Sequence, residues 1–405
     1  MSRVVPMRQV VSRAIGGGWG YDEASESTER VAVIRGADFP AMAVGDVSAV
    51  PVRWEERRKL QSRRLEPNDI VLEISGGTSD RPTGRTVFAS GRLLESVGRP
   101  TIPASFCRLV RIDASQADPY YVYWWLQGMY TDGRTWAYQN RSTGIANFQF
   151  EHFLDAEHIR LPAIREQRAI AATLGALDDK IESNRRAISV MEELARSTFE
   201  QIFDLEQVGD GVALSELVDV NPRRVLRSGT PATYVGMSSI PEFSAEVYNW
   251  EIREAGSGQR FVSGDVLMAR ITPCLENGKT AVVDMLQPDE VGWGSTEYVV
   301  LSPAGLFSTP WIYCLVRNDR IRDFAIRSMT GTSGRQRFQA DRFSQYRIVL
   351  PEATDLVRFN AVAEPLFTKM TQLRDESLKL TALRDALLPE LLSGRIRVLA
   401  EGVAA

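Results

Sequence analysis

Few residues in this chain could carry covalent chemistry. There are two histidines in 405 residues, His152 and His158, and they are not at the helical spacing of a metal-ligating pair, so neither a zinc site nor a His-dependent nucleophile is expected. The three cysteines (Cys107, Cys274, Cys314) are scattered and odd in number, which argues against a disulfide framework or a Cys-based metal site and for a reducing cytosol. Gly16-Gly17-Gly18-Trp19-Gly20 lacks the strand–GxGxxG–helix setting of a dinucleotide site and has no following Gly-Lys-Ser/Thr, so it reads as a mobile N-terminal loop. Asn221-Pro222-Arg223-Arg224 is not the Asn-Pro-Pro-aromatic run that grips a flipped adenine, and no carboxylate cluster with a trailing Glu-x-Lys suggests a metal-dependent nuclease. With no catalytic and no metal residues to assign, the chain is read as a binder.

Four polar, glycine-bearing stretches suggest what is bound. Residues 75–85 offer Thr78, Arg81 and Arg85; residues 139–147 offer Asn140, Arg141, Thr143 and Asn147. In the second half, residues 269–279 offer Arg270, Thr272, Asn277 and Lys279, and residues 330–337 offer Ser333, Arg335, Gln336 and Arg337. Arg, Lys, Asn, Gln, Ser and Thr are the side chains that reach phosphates and base edges, and glycine lets a backbone come close. Arg81 and Lys279 are read as phosphate contacts and Arg335 as a reader of bases. The formal net charge of −4 argues weakly against nucleic acid, but the charge is unevenly spread. Residues 51–111 hold twelve Lys or Arg against seven Asp or Glu, and residues 317–347 hold eight Arg against three Asp. No apolar run approaches the ~20 residues that span a bilayer, so no membrane partner is expected.

The elements that must position these loops follow from an internal repeat. Phe148-Gln149-xxx-Phe153 returns as Phe338-Gln339-xxx-Phe343 at an offset of 190, and Ile159-Arg160-Leu161-Pro162 returns as Ile348-Val349-Leu350-Pro351 at 189. Upstream, Asp69-Ile70-Val71-Leu72 matches Asp265-Val266-Leu267-Met268, and Asp118-Pro119-Tyr120 matches Thr309-Pro310-Trp311. After each Leu-Pro comes an apolar series with alternating spacings of four and three, which is a coiled-coil seam. The first is Ile170, Leu174, Leu177, Ile181, Ile188 and Met191, with Asn184 and Thr198 as polar members. The second is Phe359, Ala363, Leu366, Met370, Leu373, Leu380 and Leu387, with Ser377 and Arg384 polar, each position shifted by 189. Pro365 and Pro389 imply a kink or a break near each end of the second helix. A helix from Glu166 to Phe203 would be about 57 Å long.

The expected fold is α+β: two pseudo-repeated mixed α/β heads separated by a long antiparallel two-helix coiled coil. The divisions are a first head at 1–163, a helix at 164–205, a second head at 206–350, a helix at 351–395 and a tail at 396–405. Heads followed by helices pack most naturally with the helices antiparallel and one head at each end, as a dumbbell.

These residues resemble the specificity (S) subunits of type I restriction–modification systems over essentially the whole chain. The most specific parts are Leu161-Pro162 with Glu166-Gln167, the run from Leu174 to Asn184, Glu192-Glu193-Leu194-Ala195-Arg196, Ile271 to Lys279, and Gly294-Ser295-Thr296-Glu297. The second helix departs from the pattern, with Asp355-Leu356 in place of the Glu-Gln pair. The resemblance implies two target-recognition domains that each read one half of a split, asymmetric double-stranded DNA target, with the helices as a ruler setting the gap. It implies two adenine-N6 methyltransferase subunits as partners and, optionally, two translocase–nuclease subunits, in a prokaryotic cytoplasm and associated with the nucleoid. S-adenosylmethionine, magnesium and ATP would then sit on those partners, and this chain would hold no cofactor. Two other readings remain: a specificity protein serving a different defence or methylation enzyme, and a coiled-coil scaffold for protein partners.

Overall fold

The computed structural model describes residues 2–43, 45–142, 145–332 and 334–398. The chain divides into two compact units, one made of residues 1–182 and 379–405, the other of residues 183–378. Both long helices, Ile164–Ile202 and Ala353–Ser393, are continuous, so each contributes one part to each unit.

In the first unit the strand Asp69–Glu73 is buried at every position, as its Ile-Val-Leu centre demands. It lies inside a four-stranded antiparallel sheet ordered Val11–Gly16, Cys107–Ile112, Asp69–Glu73, Thr86–Ala89. A second sheet sets Thr28–Ile34 between Val52–Glu56, antiparallel, and Thr101–Pro103, parallel. A ribbon of Arg3–Pro6 with His158–Leu161 ties the two ends of the head together.

The second unit repeats this plan. Its main sheet runs Asp219–Val220, Tyr298–Ser302, Val266–Ala269, Thr280–Val282, again antiparallel. Pro231–Val235 lies between Glu251–Glu254, antiparallel, and Gly292–Gly294, parallel, and Arg260–Phe261 adds a fourth strand. Val212–Ala213 with Arg347–Ile348 forms the corresponding ribbon.

Details repeat as well. Asp69 accepts the Glu66 amide at 2.7 Å and Arg111 at 2.7 Å, and Asp265 accepts the Val262 amide at 2.8 Å and Arg224 at 3.2 Å, so the same carboxylate-closed turn starts both central strands. Helix Pro119–Thr131 is capped by Asp118, and Thr309–Arg317 by Ser308, 190 positions on, each with proline in its first turn. The phenylalanines of the repeated FQxxxF, Phe148 and Phe153, Phe338 and Phe343, are buried in the two head cores.

The helices pair antiparallel in each unit. In the first, Asp178 meets Arg384 at 2.6 Å, while Ile170 and Leu174 share a core with Leu388, Leu391 and Leu392. In the second, Phe199 lies 5.6 Å from Phe359, while the amide of Asn184 reaches the Ser377 hydroxyl at 3.3 Å. Ile170, Leu174, Ile181, Ile188, Phe359, Ala363, Met370 and Leu373 are buried; Leu177, Met191, Leu366, Leu380 and Leu387 are half-buried. A buried Leu, Ile or Phe of this kind contributes roughly 1.5–3 kcal/mol. The seam is more than helix on helix, because Trp311 of the second head packs on Phe199 and Phe203, and Tyr120 of the first head fills the space over Gly175.

Two expectations are corrected. The second helix is unbroken through Pro365 and Pro389. Both prolines are exposed, as are Ala361 and Asp385 four residues back, so the carbonyls that lose an amide partner lie on the wet side of the helix. The segment 16–20 is a tightly packed strap, not a loose loop. Gly17 and Gly18 donate to the carbonyls of Cys107 and Pro103 at 3.0 and 2.9 Å, and Tyr21 exchanges backbone hydrogen bonds with Trp54. A Cβ on Gly17 would lie 2.1 Å from the Ala104 carbonyl oxygen, so the glycine is there for close approach.

Candidate nucleic-acid interface

In the first head, the two polar stretches meet. Gln139–Ser142 and Ile145–Phe148 form an antiparallel hairpin, and Ser75–Gly77 adds to its second strand. Thr83 donates its amide to the Gln139 side chain at 3.0 Å, and the Ser75 hydroxyl donates to Asn147 at 2.9 Å. Thr78, Asn140 and Asn147 are exposed on this small sheet and its loop. Thr143 and the side chain of Arg141 lie outside the described residues.

Glu73, at the end of the buried strand, organises the arginines. Its carboxylate, 2% exposed, accepts Arg85 through Nε at 2.8 Å and Nη2 at 2.6 Å, and Arg81 through Nη1 at 3.2 Å. Arg85 also donates to the Gly36 carbonyl at 2.7 Å, and Arg81 to that of Gly76 at 2.6 Å. A planar guanidinium matched on two nitrogens is fixed in place. Arg85 is therefore latched in place, and Arg81, partly exposed, is latched beside it.

The second head builds the same arrangement around Glu297. Arg337 donates through Nε at 2.9 Å and Nη2 at 2.8 Å, and Arg270 through Nε at 3.3 Å. The hydrogen bonds from Arg337, opposed by burial, hold the Glu297 carboxyl below the usual carboxylate range. Backbone bonds from Thr272 to Gln336 at 3.1 Å and from Phe338 to Arg270 at 2.7 Å join the 269–279 and 330–337 stretches. The remaining residues of the first stretch are tied down: Asn277 donates to Glu242 at 2.7 Å, Lys279 to the Met237 carbonyl at 3.1 Å, and Thr272 faces the Met329 sulfur at 3.8 Å. Arg317, buried, donates to the Gly278 carbonyl at 3.0 Å and lies 5.0 Å from the Phe243 ring centre, with Arg322 at 5.2 Å from the same ring. Arg335 is exposed and Gln336 half-buried; Ser333 lies outside the described residues.

The first head thus offers exposed hydroxyl and amide groups (Thr78, Asn140, Asn147) and the second an exposed guanidinium (Arg335), each beside a carboxylate that carries two arginines. Each such triad is singly positive, one of its two guanidinium charges being offset by the carboxylate. Elsewhere, among the described residues, no group of His, Cys, Asp and Glu could hold a metal ion, and no helix is long and apolar enough to cross a membrane. His152 and His158 are both exposed.

No family model matches the chain. It is 27% identical over 225 residues to the type I restriction enzyme EcoEI specificity subunit of Escherichia coli, covering 54% of this chain and 37% of that protein. The EcoAI specificity subunit of the same species is 24% identical over 226 residues, with the same 54% and 37% coverage. The chain therefore matches well under half the length of these two relatives. Among solved structures, the crystal structure of a type I restriction–modification system S subunit from M. genitalium matches with a TM-score of 0.56, 15% identity and 96% of each chain covered, which is a likeness of fold.

Over about half its length the chain is thus similar in sequence to type I restriction specificity subunits, and in fold it is similar to a solved S subunit.

Glu73 and Glu297 are the candidate site residues that residue types and spacing did not reveal. Glu297 stood in the Gly-Ser-Thr-Glu run that carries the family resemblance, and Glu73 closes an otherwise apolar strand. An acid at a sheet end beside an arginine-bearing loop was the available signal. Gln139, whose side chain joins the two loops of the first head, and Arg317, which anchors Gly278, gave no such signal.

Proposed function

We propose that the chain recognises a bipartite, asymmetric double-stranded DNA target, one block per head, and directs adenine-N6 methylation, or restriction, by partner subunits. The observation that carries this reading is the doubled loop cluster: topologically matching ends of two matching sheets bear polar, arginine-containing rims of different sequence. Matching frames with different rims suit two different base blocks. Exposed Thr78, Asn140, Asn147 and Arg335 are the side chains best placed to reach DNA, with Arg270 and Gln336 behind them. Two methyltransferase subunits, and optionally two translocase–nuclease subunits, would supply S-adenosylmethionine, magnesium and ATP chemistry and share the phosphate contacts, in keeping with the mild acidity of this chain. The long helices, 39 and 41 residues, would act as the spacer between the regions 1–163 and 206–350.

Co-expression with the neighbouring methyltransferase, followed by mapping of methylated adenines, should give two short blocks separated by a fixed gap. A single uninterrupted motif would overturn the reading, as would methylation indifferent to exchange of residues 206–350 for another second head.

A further inference from the structure

We infer that Glu73 and Glu297 are positioning residues for sequence readout, each holding a pair of arginines so that they serve base discrimination rather than phosphate attraction. This rests on the reading of the heads as DNA-recognition modules.

The two triads have the same chemistry. In each, one arginine is gripped through Nε and Nη2 (Arg85, Arg337) and a second through a single nitrogen (Arg81, Arg270). They also stand at the same place in the fold. Glu73 pairs with Cys107 at one end of the first main sheet, and Ala269 pairs with Tyr298 at the matching end of the second, with Arg270 and Glu297 one residue beyond.

Their sequence construction differs. The arginines lie 8 and 12 residues from Glu73, but 27 and 40 residues from Glu297. Duplication of an ancestral half accounts for the sheets. It does not by itself account for the triads, which reach one geometry from non-equivalent positions, and that pattern points to a requirement of the site.

The requirement follows from charge and geometry. A free arginine near DNA finds the nearest phosphate, which attracts it whatever the sequence. An arginine latched to a carboxylate has its charge offset and its rotamer fixed, so its remaining N–H groups are offered at one point. A fixed donor discriminates between base edges, which a mobile one does not. Arg270 fits this role: its Nε is committed to Glu297, and its terminal nitrogens make no hydrogen bond among the described residues.

The carboxylates should therefore oppose non-specific binding and sharpen specific binding, a combination of signs that a merely structural acid would not produce. The test uses the full chain with its co-expressed methyltransferase, a randomised duplex library for motif selection, and salt titrations on random duplex. Glu297→Gln is expected to blur one block of the selected motif, leave the other intact and cut discrimination roughly ten- to a hundredfold. Its affinity for random duplex should rise. Glu73→Gln should do the same to the other block, and Glu297→Asp should restore part of the lost preference. If one variant does not fold, the other head decides.

Specific and random affinity falling together, or both blocks unchanged, would overturn this assignment alone. A wild-type complex that selects no motif would instead overturn the DNA-recognition reading beneath it.

Discussion

The Asn184 side-chain amide donates to the Ser377 hydroxyl at 3.3 Å, joining the two long helices at a point where their seam is otherwise made of Ile188, Met370 and Leu373. The same amide reaches the Glu376 carboxylate at 2.8 Å and the Leu373 carbonyl at 3.4 Å. All three partners accept from the amide, so Asn184 serves here as a donor. A polar pair in an apolar seam penalises alternative registers, because any slip leaves it buried and unmet.

Two substitutions of similar size should therefore part company. Asn184→Asp replaces the donor with a fourth acceptor, beside Glu376, and is expected to cost about 2–3 kcal/mol. Asn184→Leu removes the polar group and should stay within about 1 kcal/mol of the parent, since Ser377 keeps its own bond to the Leu373 carbonyl at 2.8 Å. Denaturant melts of the two variants decide it, and equal losses would refute the argument.

A buried acid gives the chain a pH dependence. Glu246 is 3% exposed, and burial first, then the nearby charge of Asp284, push its carboxyl up to about 8. Arg374, 3.4 Å away, does not reverse this, because it is already shared with Asp284 and Asp375; Glu192 adds further negative charge. Between the ordinary glutamate range and about 8, the native state holds a proton that the unfolded chain has released, so stability falls as pH rises through that window and levels off above it. Glu246→Gln removes the effect. It should melt higher than the parent at pH ~9, with the difference narrowing toward pH ~6. Parallel melting profiles across that range would refute it.

The strap at 16–20 is testable by one methyl group. Gly17→Ala would place Cβ against the backbone oxygens of Ala104 and Pro103, 2.1 and 2.2 Å away, which no side-chain rotation can relieve. A loss of about 2–4 kcal/mol is expected. Gly16→Ala, with open space around its Cβ, should be nearly silent in the same thermal melt.

What the sequence disclosed were features that recur with a period. The seam from Ile170 to Leu391, the FQxxxF phenylalanines and the capped prolines at 119 and 310 are local patterns, and the structure places them as their periods require. Hidden were features that depend on chain closure. Glu297 meets arginines 27 residues before and 40 after it, and Trp311 joins a seam that begins more than a hundred residues earlier. Composition misled at Gly16–Gly20, because glycine marks freedom in an unfolded chain but can equally mark close approach in a folded one. The residues within the loops divide into braces and exposed side chains only when their partners are visible.

That division reorders the expected DNA contacts of the second head. Lys279, expected on phosphate, gives its ammonium to the Met237 carbonyl at 3.1 Å. Arg335, expected on bases, stands exposed with its guanidinium meeting no acid among the described residues. By the reasoning that would make a latched arginine a base reader, an exposed, unlatched one would meet phosphate. Arg335→Ala should make the slope of log affinity against log salt shallower by about 1, weaken all sequences alike and leave the melting temperature unchanged. Lys279→Ala should instead lower stability by about 1 kcal/mol and barely move the salt slope. Salt titrations and melts on the same two variants separate the roles, and a steeper salt effect for Lys279→Ala than for Arg335→Ala would reverse the assignment.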